Sequence, residues 1–149
     1  MNMMKKLGFG LIAGWMAFNL VAAEGEWLTD LPQAKARAKQ DAKLVLLEFT
    51  GSDWCPPCKN LHKNVIMSKE FTDFAKQNLV LVEVDFPRAK AQSPALKKAN
   101  HELQAKFAVT GYPTIVVLDP DGAELAKEVG YGGATAAEYV AKLRRQLKK

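Results

Sequence analysis

Six consecutive residues, Trp54-Cys55-Pro56-Pro57-Cys58-Lys59, hold both cysteines of the 149-residue chain. Two residues between thiols is the spacing that lets one thiolate attack a foreign disulfide and the second resolve the mixed disulfide. Two other chemistries compete. A purely structural disulfide would close so short a loop that it removes little unfolded-state entropy. A copper or zinc site could add His62, four residues after Cys58, but tetrahedral sites take four ligands and His101 lies far off in sequence. Redox chemistry needs only a stabilised thiolate with a second thiol in reach, and both are present.

The flanking residues place the pair at a strand-to-helix turn. Leu44-Val45-Leu46-Leu47-Glu48-Phe49 reads as a buried strand, and Lys59 to Lys76 reads as helical. A thiol at a helix N-terminus faces unpaired N–H groups and the positive end of the helix dipole, which favour the thiolate. Pro56 and Pro57 are tolerated in a first helical turn, where a missing N–H has no intrahelical partner to lose. Glu48 is the anomaly of the strand, because an acid in an apolar row is costly to bury unless paired or neutral. In the period-2 pattern Leu44, Leu46 and Glu48 share one face, and Val45, Leu47 and Phe49 share the other. A solvated sheet edge and a buried, protonated carboxyl both remain open for Glu48.

Phe49 to Lys59, together with Gly111-Tyr112-Pro113-Thr114, resembles the thioredoxin superfamily, whose members carry W-C-x-x-C-K and a downstream cis-proline loop. The Gly51-Ser52-Asp53-Trp54-Cys55 lead-in and Val84-Asp85-Phe86-Pro87-Arg88 are similar to exported bacterial thioredoxin-like proteins. The resemblance spans about Trp27 to Lys149. It implies an α/β thioredoxin fold, with a central mixed β-sheet, helices on both faces, an extra N-terminal helix and a lengthened connection before the cis-proline loop. It implies Cys55 as nucleophile and Cys58 as resolving thiol, with Cys55 exposed and Cys58 shielded. Pro113 is then cis and shapes the substrate groove, with Trp54, Tyr112 and the intervening Pro56 and Pro57 contacting substrate. Thioredoxins also keep a buried acid under the second cysteine, which maps to Glu48 if Thr50–Asp53 holds one extra residue. The family's usual lysine on the neighbouring strand would fall near Leu81, so that partner is missing. No metal and no cofactor is implied.

The rest of the chain fits one domain. Residues 1–23 read as a signal peptide: Lys5 and Lys6 precede a largely apolar run from Leu7 to Leu20, and Val21-Ala22-Ala23 supplies small residues for cleavage. Residues 24–149 form the thioredoxin-like domain. An uncleaved segment would be the only reason to expect membrane attachment. Cleavage removes Lys5 and Lys6 and takes the net charge from +5 to +3, an ordinary solubility charge rather than a nucleic-acid footprint. Thr29, Asp30 and Pro32 open an amphipathic helix to Asp41, and Met67-Ser68-Lys69-Glu70 breaks the helix after the cysteines. Leu79–Phe86 is a second strand, Pro87–Gln92 a basic loop, and Ser93-Pro94 the cap of a helix through Phe107. His62 and His101 read as surface helix residues. Asp119-Pro120-Asp121-Gly122 turns one strand into an antiparallel return, and Thr135–Glu138 is a capping box for the last helix.

These readings predict a secreted or periplasmic thiol–disulfide oxidoreductase acting on protein disulfides and served by a redox partner protein. No histidine or other cation between the cysteines stabilises the Cys55 thiolate, which leans the pair towards reduction or isomerisation. Two alternatives belong to other classes. One is a non-enzymatic copper or zinc binder through Cys55, Cys58 and His62. The other is an interaction domain that docks a partner on the Pro87–Phe107 connection.

Overall fold

The computed structural model describes residues 26–147, so the signal-peptide reading of residues 1–23 lies outside the described residues. Eleven segments follow in order: β1 (Trp27–Leu28), α1 (Leu31–Asp41), β2 (Leu44–Thr50), α2 (Pro56–Leu61), a π-helical turn (His62–Ile66), α3 (Lys69–Asn78), β3 (Leu79–Asp85), α4 (Pro94–Lys106), β4 (Thr114–Leu118), β5 (Glu124–Val129) and α5 (Ala136–Gln146). The sheet order is β1-β3-β2-β4-β5. β1 and β2 run parallel to β3, whereas β4 is antiparallel to both β2 and β5. This is the mixed thioredoxin sheet that the resemblance implies.

Local signals set the helix ends. Asp30, Ser68, Ser93 and Thr135 each accept a backbone N–H from their own first turn, and Thr135 with Glu138 completes the capping box. Such caps satisfy donors that a helix leaves unpaired. The expected break after the cysteines takes a particular form. Met67 donates its N–H to the His62 carbonyl at 3.0 Å, an i→i+5 bond, before Ser68 restarts the helix as α3. β1 was not legible beforehand, because two residues are too few to show an alternating pattern.

The sheet divides the core in two. α1 and the end of α4 cover Val45, Leu47, Phe49, Val82 and Val84 on one face. α2, the π turn, α3 and α5 cover Leu46, Leu81, Ile115 and Val117 on the other. Each large apolar side chain so buried contributes roughly 1.5–3 kcal/mol before entropy is charged against it. β2 lies in the middle of the sheet, which excludes a solvated edge for Glu48. The carboxyl is fully buried on the face beneath α2 and α5.

Candidate functional site

Cys55 is the N-cap of α2, with extended backbone angles, and Pro56 and Pro57 occupy the first helical turn. Cys55 and Cys58 are joined as a disulfide, with Cα atoms 5.3 Å apart. The Cys58 N–H points at Cys55 Sγ at 3.3 Å. This is the first-turn donor that would stabilise a Cys55 thiolate. The exposure expected of Cys55 needs correction for this state: Cys55 is only 3% exposed and Cys58 1%. Both residues of the disulfide are thus buried.

An aromatic wall stands beside the pair. The Trp54 indole donates Nε1–H to the Phe86 carbonyl at 2.7 Å, meets Tyr112 edge-on at 5.8 Å, and carries the Arg88 guanidinium 3.9 Å above its centre. Tyr112 packs against Phe86 at 5.3 Å, and its hydroxyl accepts from Gln104 at 2.7 Å. Burial raises the Tyr112 hydroxyl pKa above its usual value, so it stays neutral. The Tyr112–Pro113 peptide is cis, as the resemblance implies. The Pro113 carbonyl accepts the Gly130 N–H at 2.7 Å, tying this loop to the end of β5.

Below α2 the chemistry is acidic. Register places Glu48 beside Glu83 and Thr50 beside Asp85 on the same sheet face. Neither oxygen of Glu48 has a hydrogen-bond partner. Desolvation first, then the charges of Glu83 and Asp85, push its carboxyl up to about 8. Glu83 is raised for the same first reason. Asp85 is engaged elsewhere, accepting Ser52 N–H at 2.9 Å and Ser52 Oγ–H at 2.6 Å. Leu81 occupies the place of the family's lysine and faces Leu46, so no cation on β3 offsets Glu48.

His62, read from the sequence as a surface residue or a third metal ligand, instead contacts Glu48. Its Nε2 lies 3.7 Å from Glu48 Oε2, with the carboxyl wholly enclosed and the imidazole side chain 42% exposed. Burial lowers the His62 pKa below 6.5. Near neutral pH the contact therefore joins a largely protonated acid to a neutral imidazole and is not an ion pair. The His62 N–H also bonds to the Cys58 carbonyl, which puts the imidazole one turn beyond the second sulfur. Both Cys58 and His62 line a hollow of about 340 Å³ with Thr50, Ser52, Glu83 and Lys90. A lone histidine on a helix reads as surface, and only the register of β2 under that helix reveals its partner. His101 is an exposed residue of α4, as read from the sequence, and packs edge-on against Phe86 at 5.3 Å. Among the described residues no group of three or more His, Cys, Asp or Glu side chains is arranged to hold a metal ion.

Comparison with known proteins agrees with this geometry. The thioredoxin-like domain family matches residues 31–147. The chain is 39% identical over 129 residues to the disulfide bond reductase DsbH of Chlamydia pneumoniae, covering 87% of this chain and 76% of that one. It is 28% identical over 111 residues to the thioredoxin-related protein DsbJ of the same organism, covering 74% and 32%. With the thiol:disulfide interchange protein DsbD of Actinobacillus pleuropneumoniae the identity is 33% over 112 residues, covering 72% and 17%. The chain thus spans most of DsbH but a minor part of DsbJ and DsbD. Among solved structures, a DsbH oxidoreductase superposes with a TM-score of 0.78 at 36% identity, covering 95% of each chain. The oxidised C-terminal domain of Neisseria meningitidis DsbD shares the fold, with a TM-score of 0.60 at 18% identity over 81% of this chain and 99% of that one.

Proposed function

Because the chain belongs to the thioredoxin-like family and is a thiol–disulfide oxidoreductase, we propose that it works as an exported reductase of protein disulfides. The observation that carries this reading is the Cys55–Cys58 pair at the start of α2 beside the cis-Pro113 loop. The likeness to a disulfide bond reductase supports the direction. Residues 1–23 carry the export signal, and cleavage after Ala23 leaves a mature chain starting at Glu24. A redox partner protein returns the disulfide to the dithiol.

In the reductive direction the Cys55 thiolate attacks one sulfur of the substrate disulfide. A Cys55–substrate mixed disulfide forms and the other substrate sulfur leaves as a thiolate. Cys58 then loses its proton to Glu48 and attacks Cys55 Sγ, releasing the second substrate thiolate. Two electrons pass to the substrate, and the chain ends as the Cys55–Cys58 disulfide. Glu48 suits the proton step because a carboxyl at about 8 populates both forms near neutral pH. The His62 imidazole, 3.7 Å from the acid and partly in solvent, passes that proton between Glu48 and water when the two side chains close to hydrogen-bond distance. Trp54, Tyr112 and Pro113 form the wall along which an extended substrate segment lies, with Pro56 and Pro57 keeping the turn rigid between the sulfurs.

Equilibration with a glutathione redox buffer tests the direction. A reductase should give a potential on the thioredoxin side of the family range, which runs from about −270 to −120 mV. A value near the upper limit would mark an oxidant and overturn the reading. N-terminal sequencing of the exported protein checks for Glu24 as the first residue.

A further inference from the structure

The connection from Pro87 to Phe107 takes no part in the cysteine chemistry, yet it is held firmly against the active-site turn. The Asp53 carboxylate, two residues before Cys55, accepts the N–H groups of Arg88 at 3.0 Å, Ala89 at 2.7 Å and Lys90 at 3.1 Å. These bonds, Arg88's first, hold the Asp53 pKa below its usual value, so it is ionised at neutral pH. Trp54 holds the Phe86 carbonyl, while Gln92 and Asn100 both donate to the Asp85 carbonyl, at 3.1 and 2.9 Å. The loop is therefore pinned to the turn before α2 and to the end of β3, and α4 is tied to the same Asp85 carbonyl.

The pinned loop and α4 enclose a hollow of about 350 Å³ with Phe86, Arg88, Lys90, Lys97 and His101 in its walls and no carboxylate among its lining residues. Asp53 is engaged on the three loop N–H groups and Asp85 on Ser52, while Lys90 Nζ donates to Ser52 Oγ at 3.1 Å and feels the Glu83 charge, which leaves Arg88 and Lys97 as the cations facing the hollow. Arg88 is exposed, with its guanidinium 3.9 Å above the Trp54 ring centre. A guanidinium held on an aromatic face loses less rotamer freedom when an anion arrives, and the apolar wall strengthens its field. Phe86 forms one wall of the hollow and also packs on Tyr112 of the cis-proline loop. The hollow thus adjoins the wall where the proposed function lays the substrate.

We propose that this basic hollow receives an acidic segment of the protein whose disulfide meets Cys55, so that Asp or Glu residues near the target cysteine select the substrate. The inference rests on the oxidoreductase reading and adds its substrate class. Charge complementarity of this kind acts mainly on the association rate and weakens with salt.

The test uses the reduced mature chain and three peptides that carry the same disulfide, flanked by glutamates, lysines or serines. At low ionic strength the acidic peptide should react about tenfold faster than the neutral one, and the lysine peptide slower. The ratio should shrink as salt rises. Lys97→Glu should collapse or invert the ratio, whereas Arg145→Glu on α5, with the same change in net charge, should leave it standing. Equal rates for the three peptides would overturn the proposal. So would equal loss of the ratio in both variants, which would make the effect one of net charge alone. If no peptide is reduced at all, the oxidoreductase reading itself fails and this inference falls with it.

Discussion

His62 Nε2 lies 3.7 Å from Glu48 Oε2, a buried carboxyl oxygen that has no hydrogen-bond partner. The pairing joins a group with no solvent contact to one that keeps it. Trp27 stands 6.2 Å from the imidazole centre and helps hold the ring in place from β1.

Glu48→Gln should change how stability depends on pH. A carboxyl raised from 4.5 to about 8 stays protonated in the folded chain after the unfolded chain has ionised. The unfolded state then binds fewer protons, so wild-type stability falls as pH rises from 4.5 towards 8. The amide does not titrate and should remove that slope, a difference of about 3 kcal/mol at most between pH 5 and pH 8. Urea unfolding of the oxidised proteins at the two pH values measures it. Parallel wild-type and variant curves would show that Glu48 ionises normally.

His62→Ala removes the imidazole that faces Glu48 and leaves its space open beside Trp27. Resolution of a Cys55 mixed disulfide should slow by about tenfold, the modest side of acid–base effects, with the initial attack by Cys55 little changed. Imidazole added to the buffer should restore part of the lost rate through the hollow beside Cys58. Rapid-quench measurement of the two steps separates them. A slowed reaction that imidazole fails to rescue would make His62 a packing residue.

The two sulfurs should act in a fixed order. Cys55 precedes the first helical turn and faces the Cys58 N–H, whereas the Cys58 backbone belongs to the helix. Cys58→Ser should accumulate mixed disulfides with substrate, and Cys55→Ser should accumulate few, as read by mass spectrometry under non-reducing conditions. Equal trapping by both variants would contradict the assignment.

What the sequence disclosed follows from what acts locally. The cysteine pair, the caps at Asp30, Ser68, Ser93 and Thr135, and the turn at Asp119–Gly122 each depend on a few adjacent residues. Glu48 was conspicuous as an acid in an apolar strand, but its burial depended on β2 standing between β3 and β4. Glu83 and His62 were harder still. Glu83 becomes a neighbour of Glu48 only through the parallel register, and His62 only because the helix crosses that row. The burial of Cys55 depends on the packing around the start of α2, which its position before the helix does not reveal.

Gly51→Ala probes how the motif turn, the aromatic wall and the basic loop depend on one another. The Gly51 carbonyl accepts the N–H groups of Trp54 and Cys55 at 3.2 and 2.9 Å, and the Trp54 indole occupies the space where a side chain at this position would stand. An added Cβ would stand 2.6 Å from Trp54 Cζ2 and 2.7 Å from Nε1, closer than side-chain carbons approach. The indole must shift, which strains its bond to the Phe86 carbonyl and unseats Arg88. Overpacking of this kind costs roughly 1–3 kcal/mol, so the variant should fold with reduced stability. The Trp54 indole N–H resonance should move as its hydrogen bond weakens. Reduction of the acidic peptide should suffer more than reduction of the neutral one, because the displaced element is the seat of Arg88. An unmoved indole resonance with wild-type stability would mean that the turn absorbs the methyl group, and the coupling between Gly51, Trp54 and Arg88 would be lost with it.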